Sequence, residues 1–112
     1  MTCTELENAE NTCVNAAAAL ADEINTLSGD VSIERIACYG ADSGAPVPLT
    51  LSAATIRKEQ LQAAQPPDAT KIEAYTDLID VLSPHDAKVQ ERATNLAVAA
   101  AYHDKREEQN CI

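Results

Sequence analysis

Apolar residues recur every three or four positions along most of this chain, so helices are its first prediction. Cys13, Ala17, Leu20, Ile24 and Leu27 form a narrow stripe flanked by Ala9, Val14 and Ala21, the spacing of one helix face. Thr4 followed by Glu7 has the form of a capping box ahead of that stripe, and Gly29 stands where a left-handed residue would end it. The pattern predicts a helix over residues 4–28.

The rhythm changes over residues 30–51. Val31, Ile33 and Ile36 fall near alternation, residues 40–46 are rich in turn formers, and Val47, Leu49 and Leu51 read as extended. Pro48 would confine the second segment to a sheet edge. A β-hairpin with a flexible tip is predicted, with a short helix followed by a loop as the alternative. Ser52 then caps a helix over 53–65 that Pro66 and Pro67 stop, and Thr70 with Glu73 opens another over 71–82. Ser83, Pro84 and Asp86 suit the N-cap, N1 and N3 positions of a last helix over 84–108. Val89, Ala93, Leu96, Ala97 and Ala100 give that helix its stripe, and residues 109–112 are a tail. The fold class is mainly α: one domain over 1–112, an antiparallel bundle of about four helices with a short β-hairpin between the first two.

Composition alters this picture in one respect. Hydrophobic residues make up 46 % of the 112, enough to fold, but there is no Trp or Phe and much of the apolar content is Ala. Ala buries little area, at roughly 25 cal/mol per Å², so contact with neighbouring subunits would help such a core. No apolar run approaches the ~20 residues of a membrane span. The N-terminus lacks the basic and apolar regions of a signal peptide. A cytoplasmic setting with reduced thiols is expected.

The net charge of −10, from 18 acidic against 8 basic residues, argues against a nucleic-acid reader or a protein docking on anionic membrane. No Lys or Arg precedes Arg35, while Glu5, Glu7 and Glu10 all do. Those three carboxylates are candidates to meet a basic partner or to repel passing DNA. Asp42 in the turn-rich loop, and Lys105 and Arg106 at the start of the polar tail, are candidates to reach a partner.

Catalytic and metal chemistry find no pattern. Cys3, Cys13, Cys38 and Cys111 contain no C-x-x-C pair, and His85 and His103 are not at ligand spacing. Cys3 and Cys111 could meet if the termini adjoin. Only 3 Gly are present, so no phosphate-cradling loop exists, and neither His has a nucleophile beside it in sequence. No catalytic residue, metal ligand or cofactor site is expected, and the chain is read as a non-enzyme.

Residues 20–29, 31–39 and 47–56, in the order helix, small residue with Gly, hairpin, Ser-started helix, resemble the small head–tail joining proteins of tailed phages. Residues 92–108, an apolar run, then Tyr102, then a charged tail, are similar to the closing helix of phage head–tail adaptors. The resemblance implies a virion protein assembled in the host cytoplasm as a homo-oligomeric ring below the portal. Its partners would be the portal and neighbouring neck or tail proteins, with DNA passing unbound and no membrane involved. Tyr102 would join the partner-facing residues. The alternative is an acidic monomeric inhibitor or immunity-type module that blocks a basic nuclease or DNA-binding protein, for which carboxylates regularly spaced along one exposed surface are expected.

Overall fold

A computed structural model describes all 112 residues and is mainly helical, without a strand. Three helices follow in order: α1 Cys3–Ala41, α2 Leu51–Ala63 and α3 Ala69–Glu108. The chain divides into two compact units, one of Met1–Ile24 with Ala87–Ile112 and one of Asn25–Asp86.

The first helix corrects two expectations. Its capping box lies between Thr2 and Glu5, which exchange backbone-to-side-chain bonds of 3.1 Å each way. Those bonds hold the Glu5 carboxyl below its ordinary value. The helix also runs through Gly29 instead of ending there, and no glycine of the chain has a positive φ. The stripe explains the continuation. After Leu20, Ile24 and Leu27, the same alternation of three and four residues reaches Val31, Glu34, Cys38 and Ala41, all inward-facing or half-buried. The β-hairpin of residues 30–51 is therefore absent, and the residues that suggested alternation, Ile33 and Ile36, lie outside at 64 % and 72 % exposure. A Cβ on Gly29 would meet nothing within 4 Å. Gly29→Ala should therefore raise stability by up to about 1 kcal/mol, read as a higher urea midpoint.

Caps shift by a residue or two in the other helices. Thr50, not Ser52, accepts from the Ala53 N–H at 3.2 Å to open α2. Asp68 accepts from the Lys71 N–H at 3.2 Å to open α3. The predicted helices 71–82 and 84–108 are one helix that carries Pro84 inside it, so three helices replace the expected four. An interior proline costs about 3 kcal/mol through its missing donor and its ring clash. Inward packing on both sides of Pro84, by Leu78, Leu82 and His85, offsets that cost.

In the unit of Asn25–Asp86, Val31, Cys38, Leu49, Ala54, Leu61, Tyr75, Leu78 and Leu82 form a buried core. Leu49 enters it from the segment between α1 and α2, and Arg35 Nε donates to its carbonyl at 3.0 Å. The unit of Met1–Ile24 with Ala87–Ile112 is thinner, with Leu6, Ala17, Leu20 and Ala99 as its buried apolar residues. Its helix segments are antiparallel, as the pairs Glu10 with Arg106 and Glu23 with Lys88 show. A disulfide between Cys3 and Cys111 closes it, with a Cα–Cα distance of 5.6 Å. The pairing that the sequence leaves open for Cys3 and Cys111 is thus made, and the reduced thiols expected of a cytoplasmic setting are found only at Cys13 and Cys38.

Candidate functional site

Four arrangements could carry function. In the thinner unit, the side of α3 expected to be its core stripe faces outward. Val89 and Leu96 are 44 % and 40 % exposed, and Ala93, Ala97 and Ala100 are exposed with them. The residues turned towards α1 are instead Asn95, Ala99, Tyr102 and Arg106. The register has a physical cause. Arg106 donates to both Glu10 oxygens at 3.2 Å, and His103 Nδ1 lies 3.3 Å from the same carboxylate, which turns the Leu96 side away. Val14 and Ala18 follow the inward α1 positions Cys13, half-buried, and Ala17, buried, as Leu96 and Ala100 follow Asn95 and Ala99. In an antiparallel pair of right-handed helices, a step of one residue on each turns both to the same side. One broad face therefore carries Val14, Ala18, Ala93, Leu96 and Ala100 with little polar cover.

An open groove of about 580 Å³ belongs to the same unit, lined among others by Met1, Leu6, Val98, Ala101, Tyr102 and Lys105. The candidate partner residues are distributed around it unevenly. Glu5 and Glu7 are exposed, while Glu10 and Arg106 are half-buried and spent on each other. Tyr102 and Lys105 line the groove, and Lys105 Nζ is 3.7 Å from Glu108.

Asp42 lies elsewhere, 1 % exposed in the other unit. Arg57 donates to both its carboxylate oxygens at 2.8 and 3.0 Å, the Tyr75 hydroxyl donates at 2.7 Å, and the Gly44 N–H at 3.0 Å. The Arg57 bonds hold the carboxyl well below the usual range, against the opposing effect of burial. Burial and the neighbouring Asp42 push the Tyr75 phenol up. These groups satisfy one another, and Asp42 has no surface from which to meet a partner. Cys38 is buried beside them, its thiol donating to the Ala74 carbonyl at 3.2 Å. Burial first, then Glu34, Asp42 and Asp77, push it up to about 11, which makes it a poor nucleophile.

The fourth arrangement joins Ser28, His85 and Asp86. Ser28 Oγ is 3.2 Å from His85 Nε2, and His85 Nδ1 is 2.9 Å from Asp86 Oδ1. A carboxylate only accepts, so the Nδ1 proton belongs to that bond and, in the neutral ring, Nε2 accepts from Ser28. Sequence reading missed this because Ser28 and His85 are 57 positions apart. The usable signal was the continued stripe: once α1 runs past Gly29, Ser28 lies on a helix paired antiparallel with α3.

No protein-family model, curated protein or solved structure matches the chain. No group of three His, Cys, Asp or Glu side chains is placed to hold a metal ion, and no helix is long and apolar enough to cross a membrane.

Proposed function

We propose that this chain is a structural assembly protein that works by contact through the outward apolar face of its Met1–Ile24 and Ala87–Ile112 unit. Its specific setting would be a connector subunit that forms a ring below the portal of a tailed phage. The observation carrying the contact reading is the exposure of Val89 and Leu96 among alanines on one side of α3, beside the exposed Val14 of α1. A two-helix layer must bury such a face against another layer, and exposed apolar patches of this kind mark interaction sites. The closing helix that resembles head–tail adaptors is helical here, while the hairpin of the joining proteins has no counterpart. The Cys3–Cys111 bond supports a setting outside a reducing cytosol, such as an assembled particle. Net negative charge would let DNA pass without adhering.

Light scattering and negative-stain microscopy, with and without a portal ring, test this reading. Leu96→Glu should reduce the assembled mass to that of the monomer, while the melting curve changes by less than about 0.5 kcal/mol because the side chain is at the surface. Native protein that stays monomeric and joins no ring would overturn it.

A second reading, the acidic inhibitor, has one specific support. Glu73, Asp77 and Asp80 are exposed at spacings of four and three on α3, a regular carboxylate row of the kind expected for it. Tight, salt-sensitive binding of monomer to a basic nuclease, lost when these three become amides, would favour it.

A further inference from the structure

We infer that Ser28, His85 and Asp86 form an acyl-accepting site, in which the Ser28 hydroxyl takes the acyl group from an activated ester. This goes beyond the contact function and does not depend on it. Three features carry it. The hydrogen bonds run in the order of nucleophile, base and orienting carboxylate, with both distances within bonding range. The Ser28 hydroxyl is also directed across to another helix, unlike the hydroxyls of Thr12, Thr55, Thr76 and Thr94, each of which bonds the carbonyl four residues back. Finally, the Ser28–His85 bond is only part-buried and the His85 side chain keeps 21 % of its exposure, so the pair is within reach of an incoming molecule.

The step balances without any further reactant. Ser28 Oγ bonds to the acyl carbon as its proton passes to His85 Nε2. The carbon–oxygen bond to the leaving phenolate then breaks, and the imidazolium returns the proton to that phenolate. Asp86 holds the ring in the tautomer that accepts from Ser28 and faces the imidazolium while it is charged. Substrate class follows from what surrounds the serine. Ser28 and His85 lie in the interiors of α1 and α3, where backbone N–H groups are used within the helices. No backbone oxyanion hole is formed, so the negative oxygen of the intermediate faces water. The site therefore suits aryl esters, whose leaving group needs little help, and not amides.

Incubation of the intact protein with p-nitrophenyl acetate, followed by peptide mapping, tests this. One acetyl group is expected on Ser28, and it is absent in Ser28→Ala. His85→Gln should slow that acetylation about a hundredfold, the scale of a lost general base. Asp86→Asn should slow it, and Asp86→Glu should restore most of the rate. Deuterium oxide should slow the native protein but not His85→Gln, because a proton moves in the rate-determining step only when the imidazole takes it. Circular dichroism melts establish that each variant is folded. Acetyl groups found only on lysines, on Cys13 or on His85 itself would overturn the proposal, as would acetylation of Ser28 at an unchanged rate in folded His85→Gln.

Discussion

Asp42→Ala should lower the stability of the protein by about 3 kcal/mol, the lower end of what breaking a buried ion pair costs. Three groups lose their acceptor at once: the Arg57 guanidinium, the wholly buried Tyr75 hydroxyl and the Gly44 N–H. The Arg57 side chain is 26 % exposed and can recover some hydration, which keeps the figure from the top of the range. For a domain of this size, the melting temperature should fall by roughly 10 °C. The effect carries a pH signature whose sign follows from the depressed Asp42 value. The folded state favours the ionised carboxylate, so the stabilisation is complete above the unfolded carboxyl value of about 4 and is lost as pH falls below it. Urea unfolding at pH 7 and pH 3 measures both parts. The gap between native protein and Asp42→Asn should narrow at the lower pH, and a gap of constant size would refute the ionic account.

The same cluster shows what sequence could and could not disclose. Helical content was legible because the 3–4 spacing of Cys13, Ala17, Leu20, Ile24 and Leu27 has one physical meaning. The end of α1 was not, because Gly29 and the β-branched residues Val31, Ile33 and Ile36 speak for local breakage while tertiary packing of Val31 and Cys38 holds the helix. Local propensity is worth about 1 kcal/mol at a glycine, less than two buried side chains return. Pro84 is a second instance, since an N1 position and a helix interior look alike until the residues on either side are known to pack. Asp42 looked like a loop carboxylate because its partners, Arg57 and Tyr75, are 15 and 33 positions away. The outward face of α3 was misassigned for a related reason. With an apolar residue, mostly alanine, on nearly every side of residues 93–101, the apolar pattern does not choose a register, and the Glu10–Arg106 pair decides it.

Removal of the Cys3–Cys111 disulfide should have the largest effect of all. The bond closes a loop with a sequence separation of 108. In the chain-entropy account, opening it returns about 4 to 5 kcal/mol of freedom to the unfolded chain. The unit that it closes has little else to resist that entropy. Two of its four buried apolar residues are alanines, and its ion pairs Glu23–Lys88 and Lys105–Glu108 lie at the surface, where each contributes no more than about 1 kcal/mol, which leaves the half-buried Glu10–Arg106 pair as its main polar tie. The core of residues 25–86, with Tyr75, Leu78, Leu82 and the Asp42 cluster, contains no disulfide. Reduction, or the pair Cys3→Ser and Cys111→Ser, should therefore act unevenly. Amide hydrogen exchange should quicken first in residues 3–24 and 87–108, while amides around Val31, Cys38 and Leu78 keep most of their protection. The groove lined by Met1 and Leu6 should loosen with its helices, and the outward face of Val89 and Leu96 should lose the fixed α1 neighbour that completes it. Assembly through that face is then expected to depend on oxidation, with reduced protein monomeric at concentrations where oxidised protein associates. Equal loss of protection across all three helices would show that the disulfide supports the whole chain as one cooperative structure. Unchanged protection everywhere would show that the antiparallel pairing of α1 and α3 holds without it.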